Sequence, residues 1–399
     1  MNTHFIRSAN PIAASGYTNK ASSRRLIPSL AVAGTLFICP AVLHAQELSL
    51  PCDEKEAQVL AEKRDNEVKR ITAFQPAKPK RRVDPQYPIS AARQGKEGWV
   101  KMSFIIDEEG NVNDPVVNDF GGHKDFKFKA LRAIKRWKFE PAMKDGKPTQ
   151  QCEHAVQFDF ILGGKSGASR EFIKAYQEVD TLFKAGNVAD ADALLMDLRN
   201  ESALNHYENA WAANMDANIA SDLKDWRREL SSLKRVKASN GSTFGKNSVF
   251  SEDHIAYTLQ RSVILAAELG YYADAVDAFE ELQSFEEQQE KIQAVQPIIE
   301  TIEEQIASNK HIRIDMEIDD RELLFHTLVR NQFAFDSIKG DLGSVEVRCQ
   351  SHREKFTVAE DHIWTIPESW GECRVMVKGA EGTSFELIEV GSTEVASLN

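Results

Sequence analysis

The chain has 399 residues and a formal net charge of −12, from 49 Lys plus Arg against 61 Asp plus Glu. Apolar residues make up 42% and charged residues 28%, enough to bury sizeable cores and to exclude a disordered polymer. The acidic balance argues against nucleic acid as the partner of the whole chain. Only one apolar run approaches membrane length, which excludes a multi-span transporter.

That run lies in the first 45 residues, which carry Arg7, Lys20, Arg24 and Arg25 and no acidic residue. Arg24-Arg25 leads into an apolar stretch from Leu26 to Leu43, and Leu43-His44-Ala45 reads as a small-residue cleavage site before Gln46. The pattern predicts a secretory signal peptide over 1–45. The alternative is an uncut anchor, for which Pro28, Pro40 and a length of about 18 residues are poor, since about 20 are needed. Cys39 follows Ile38, where lipidation requires a small residue. Removal of the leader leaves Cys52, Cys152, Cys349 and Cys373. An even number in an exported chain predicts two disulfides. Of the three pairings, Cys52–Cys152 and Cys349–Cys373 are favoured, because the members of each pair fall in or beside one predicted domain; four buried thiols are the alternative.

Residues 46–79 read as a helical lead-in, rich in Glu, Lys and Ala, followed by a short linker at Gln75-Pro76-Ala77-Lys78-Pro79-Lys80. Charge then divides the chain. Residues 78–164 hold 16 basic and 12 acidic residues, whereas residues 165–399 carry a net charge of −18. A small basic unit precedes an acidic body, which marks a domain boundary.

Within the basic unit, residues 80–164, Pro85-Gln86-Tyr87-Pro88 opens onto a short helix from Ile89 to Gln94, ended by Gly95. Val100, Met102, Phe104 and Ile106 share one face at period two, as in a half-buried strand, with Ile105 spoiling the alternation. Glu108-Glu109-Gly110-Asn111 supplies a hairpin turn, Val112 to Asn118 returns as a second strand, and Asp125 to Lys138 reads as a helix stopped by Pro141. Val156, Phe158 and Phe160 alternate with polar residues in a third strand.

The combination Pro85-Gln86-Tyr87-Pro88, Glu97-Gly98-Trp99-Val100-Lys101-Met102-Ser103-Phe104, Gly110-Asn111-Val112 and Trp137-Lys138-Phe139-Glu140-Pro141 resembles the TonB C-terminal domain, over about residues 80–164. The resemblance implies an α+β fold and a periplasmic location. It implies coupling of an inner-membrane proton-channel complex to outer-membrane receptors. It further implies capture of an extended receptor peptide by addition to a sheet edge, where main-chain bonds supply affinity. On this chain the edge would be the third strand, His154, Ala155, Val156, Gln157, Phe158, Asp159 and Phe160, braced by Tyr87 and Pro88. Plain core packing is the competing reading for Tyr87, Trp137 and Phe139. Family transducers have a long Pro-rich spacer after a membrane helix; here only Pro76, Pro79 and Pro85 punctuate the approach. With Cys52 bonded to Cys152, an anchored tether from Ala45 would reach only about 25 Å, so a soluble periplasmic partner of such a system fits better than an energy transducer. The basic crowd from Lys124 to Lys138 suits an acidic partner or an anionic envelope surface; otherwise it is a solvated helix face, or it docks on the acidic body.

Residues 168–308 carry helical spacing. Gly186-Asn187-Val188-Ala189-Asp190-Ala191 is echoed 84 residues later by Gly270-Tyr271-Tyr272-Ala273-Asp274-Ala275. Glycine at a turn beside small helix residues resembles tetratricopeptide-type hairpins, whose stacked arrays offer concave binding surfaces. From His311 the period switches to two. Strands are expected around Leu323–Leu328, Val345–Cys349, Cys373–Val377 and Phe385–Val390, with both cysteines inward, as in a small β-sandwich over 311–397.

The fold expected is therefore multidomain: an α+β TonB-C-like domain, an all-α helical-hairpin domain and a small all-β sandwich-like domain. No His-Glu-x-x-His, Gly-x-Ser-x-Gly or phosphate loop is present, so no enzyme, metal or cofactor is expected. The function expected is peptide binding in support of TonB-dependent transport; the alternative is an envelope scaffold whose helical domain binds the partner.

Overall fold

A computed structural model of the chain describes residues 74–162, 167–201, 204–240, 248–360 and 362–391. The expected signal peptide, the helical lead-in up to residue 73, Cys52 and linker residues 163–166 lie outside them. Among the described residues no helix is long and apolar enough to cross a membrane.

The expected linker is structured instead. Phe74–Gln75 (β1) pairs with Ala142–Lys144 (β6), which pairs in turn with Lys147–Thr149 (β7), and Lys78–Arg81 (β2) pairs with Lys138–Glu140 (β5). Pro79 is tolerated because β2 pairs on one side only, with β5. These pairs also shorten the second helix of the basic unit. It runs Asp125–Ile134 (α2) rather than to Lys138, because the chain tightens at Arg136 and Trp137 and Phe139 N then donates to Gly110 O. Gly110 has φ +78°, and a Cβ there would fall 1.9 Å from Phe139 O, so glycine is required by the close approach of β5.

The main sheet of this unit contains Gly98–Ile106 (β3), Val112–Gly121 (β4) and Gln151–Phe160 (β8) in the order β4-β3-β8, all antiparallel. One face carries Val100, Met102, Phe104, Val156, Phe158 and Phe160. It packs on Ile89–Arg93 (α1) and on Phe126, Ala130 and Ile134 of α2, with Trp137 filling the end of the core.

Seven helices follow: Arg170–Lys184 (α3), Val188–Glu201 (α4), His206–Asp222 (α5), Trp226–Asn240 (α6), Glu252–Glu268 (α7), Tyr272–Gln283 (α8) and Gln289–Ala307 (α9). Gly186 (φ +80°) and Gly270 (φ +76°) sit at the α3–α4 and α7–α8 turns, where the left-handed conformation closes the preceding helix. The α5–α6 turn uses Lys224 at φ +59° for the same purpose. The offset of 84 residues therefore spans two hairpins, and the middle one has no glycine signature to reveal it.

The C-terminal strands are Ile312–Glu317 (β9), Leu323–Thr327 (β10), Gln332–Lys339 (β11), Leu342–Cys349 (β12), Arg353–Phe356 (β13), Ile363–Thr365 (β14), Cys373–Gly379 (β15) and Ser384–Glu389 (β16). They form two four-stranded sheets, β10-β15-β12-β13 and β14-β11-β16-β9, which share one core built from residues such as Ile314, Phe335, Val347, Val375 and Leu387. Cys349 and Cys373 lie directly opposite each other on β12 and β15 and are disulfide-bonded. Helices and sheets are fastened by Arg330, whose guanidinium donates to the carbonyls of Gln305, Ser308 and Lys310 at the end of α9. All the described residues belong to one compact unit, so the three expected bodies are packed together.

Candidate functional site: the terminal strand of the basic unit

β8 is the last strand of its sheet, paired with β3 from Gly98↔Phe160 to Ile106↔Gln151 with one irregularity near Phe104. Its alternation is that of a strand with one face in the core: Val156, Phe158 and Phe160 are buried, while Ala155, Gln157 and Asp159 are half-buried. His154 also points inward, with its ring 4.9 Å from that of Phe104 and 5.3 Å from that of Phe139. Burial, reinforced by the nearby Arg82 charge, pushes its pKa down to about 4. Tyr87 packs edge-on against Phe160 at 5.9 Å and donates its hydroxyl to Lys96 O at 2.5 Å, so it holds the far end of β8. Burial, with the Glu97 carboxylate second, raises its pKa. Pro88 caps α1 and accepts from Ala92 N. Trp137 and Phe139 are core residues; Trp137 Nε1 donates to Val83 O at 2.9 Å.

No residue of β8 is fully exposed, because the second face of the sheet is covered too. Trp99 and Ile105, on the side of β3 away from α1 and α2, are 1% and 2% exposed. Trp99 Nε1 donates to Ser239 Oγ at 2.9 Å, and Gln157 Nε2 donates to Ala238 O at 3.0 Å, both on α6. Lys101, on the same face, has its pKa pushed down to about 8 by burial first and by Lys237 second. Glu97 closes this junction. Its carboxylate accepts from Leu162 N at 2.6 Å and His206 N at 2.9 Å, while its own N donates to Leu204 O.

The ion pairs across the junction reverse the sign weighed from the sequence. The basic unit presents carboxylates to arginines of the acidic body: Asp119 to Arg235 at 3.2 Å, Glu153 to Arg374 at 3.2 Å, and Asp114 to Arg353. The basic helix face takes no part. At the start of β8, Cys152 N donates to Gln350 O at 3.2 Å, so the outer edge is capped there by the chain itself. Cys152 is buried with a free thiol, pushed up to about 12 by burial; Cys52 lies outside the described residues. The sequence signals for this second interface were Trp99 and Ile105, apolar at positions a one-sided strand would leave polar.

The geometry defines an α+β module of antiparallel strands and two helices that ends in a single-sided strand. Residues 83–162 match the family described as Gram-negative bacterial TonB protein C-terminal. The chain is 34% identical over 94 residues to protein TonB of Vibrio cholerae, covering 24% of this chain and 38% of that protein. It is 36% identical over 70 residues to protein TonB of Pseudomonas aeruginosa, covering 18% of this chain and 20% of that protein. The chain thus spans well under half the length of either relative. Among solved structures, it is similar to the solution structure of the Pseudomonas aeruginosa TonB C-terminal domain, at 30% identity and a TM-score of 0.21, over 23% of this chain and 91% of that one. It is also similar to the TonB2 protein of Vibrio anguillarum, at 40% identity and a TM-score of 0.18, over 22% and 81%. Residues 83–162 are therefore a TonB C-terminal-type domain, here built into a larger unit of helices and sheets.

Proposed function

We propose that this chain is a periplasmic TonB-family protein whose β8 edge binds an extended peptide of an outer-membrane receptor or another envelope partner by strand addition, in support of TonB-dependent transport. The observation that carries this reading is the position of β8 at the end of the β4-β3-β8 sheet, with a strand on one side only. Recognition then rests on main-chain groups, which suits a strand whose core-facing side chains, Val156, Phe158 and Phe160, are committed to packing. Tyr87 stiffens the Phe160 end, and a guest strand would add beyond the Gln350 cap at Cys152. The test is a titration of receptor N-terminal peptides into the full chain, read by amide exchange. Slowed exchange in Ala155–Phe160 is expected; unchanged exchange at millimolar peptide would refute strand addition.

The same cap, with the burial of Trp99 and Gln157 against α6, favours a second reading, in which the module is a docking element and the tetratricopeptide-like helical hairpins hold the partner. Helix residues Ile173 and Tyr257 are exposed apolar positions for that purpose. Substituting Tyr257 by Asp abolishes partner capture under this reading and leaves it intact under the first.

A further inference from the structure

We infer that the outer face of α1 and α2 is a docking surface for a bilayer bearing anionic phospholipid headgroups. This goes beyond strand addition at β8 and does not depend on it.

The inference starts from what docking leaves over. The junction with the acidic body uses the module's carboxylates, Asp114, Asp119 and Glu153. The cations of α2 and its flanks are not consumed: among the described residues Lys124, Arg132 and Lys135 have no acidic partner and are exposed. A unit whose net charge is positive therefore keeps a positive side after it joins a body of net charge −18.

The arrangement on the helix is specific. At 100° per residue, Phe126, Ala130, Ala133 and Ile134 form the buried stripe of α2. Diametrically opposite stands Phe128, 65% exposed, ringed by Lys124 one turn before it and by Arg132 and Lys135 in the turns after it. Ile89, at the start of α1, is 70% exposed, and its neighbour Ser90 donates to Asp125 Oδ2 at 2.5 Å, which brings it to the beginning of α2. A phenylalanine at the centre of a cationic ring, on a helix whose other side is packed, is the pattern of a segment that lies in the headgroup region with its apolar knob in the acyl boundary. Phe128 stands on the outward, convex side of its helix, and a planar array of anions can meet a convex cationic face. The sheet separates this face from the α6 junction, so it is open while the module is docked.

The experiment is sedimentation of the full chain with vesicles of phosphatidylcholine alone or with about 30% phosphatidylglycerol, across a salt series. The expected result is partition that requires phosphatidylglycerol and weakens as salt rises. K124E/R132E/K135E should lower the partition coefficient at least about 100-fold, since each cation near an anionic surface contributes severalfold. Phe128→Ser should lower it about 10-fold at unchanged charge. Both variants change exposed positions, and an unaltered circular dichroism spectrum checks that they fold. Equal binding to neutral vesicles overturns the inference. So does binding that neither variant reduces, which would place the contact elsewhere in the chain. Retention on an acidic polypeptide without vesicle binding would identify a protein partner and overturn it as well.

Discussion

Replacement of Glu97 by Ala tests whether the TonB C-terminal-type domain is held to the helices by a few buried polar bonds. The side chain is 9% exposed and accepts two main-chain hydrogen bonds, from Leu162 N at 2.6 Å and His206 N at 2.9 Å. These donors belong to opposite sides of the junction: Leu162 follows β8, and His206 begins α5. A hydrogen bond to a charged group contributes about 1.5–3 kcal/mol, and a buried N–H left without a partner retains its desolvation cost. Glu97→Ala should therefore destabilise the joined unit by about 3–5 kcal/mol. Glu97→Gln keeps one carbonyl acceptor and should lose about half as much. The assay is urea unfolding of the full chain together with amide exchange at Leu162 and His206, which should accelerate in Glu97→Ala while Val100 and Phe104 in the module core stay protected. A loss below about 1 kcal/mol with unchanged exchange at both amides would refute the clamp.

The ionic contacts of the same junction should matter less. Asp119 and Arg235 are partly solvated, so Asp119→Asn should cost no more than about 1 kcal/mol in urea unfolding, and a cost near that of Glu97→Ala would contradict the ranking. His154 predicts an acid sensitivity. An unfolded imidazole takes up its proton near pH 6.5 and the buried one only at about 4, so the unfolded state binds more protons between these values and stability falls as pH drops through them. The loss should reach roughly 3 kcal/mol at the acid end, and His154→Leu should flatten the difference in unfolding free energy between pH 7 and pH 4 by that amount. The Cys349–Cys373 bond closes a separation of 24 residues, so replacing both cysteines by Ala should lower stability by at least about 3 kcal/mol; an unchanged thermal midpoint would argue against it.

Much of the module was legible because its signals are local. The alternation of Val100, Met102, Phe104 and Ile106, the Gly110 turn and the Phe126–Ala130–Ile134 stripe of α2 are patterns within one strand, one turn and one helix. The short strands were not legible. Lys78–Arg81 is wholly exposed and contains a proline, and only its hydrogen-bonded partner at Lys138–Glu140 makes it a strand. The same competition ended α2 at Ile134, where helical propensity favoured continuing. Among the hairpins, Gly186 and Gly270 advertised their turns, whereas Lys224 adopts the same conformation with a residue that ordinarily avoids it.

The amino-acid sequence by itself determined that residues 83–162 form a TonB C-terminal-type domain and that the chain divides into a basic unit and an acidic remainder. Periodicity and turn chemistry act over a few residues and can be read without coordinates. Only the tertiary structure decided that both faces of β3 are covered, that Cys152 N at the edge of β8 meets Gln350 O, and that the module's carboxylates make the ion pairs of the junction. Those outcomes join residues far apart in the chain. They depend on which surfaces remain after each element has buried its own apolar stripe, and no local pattern encodes that remainder.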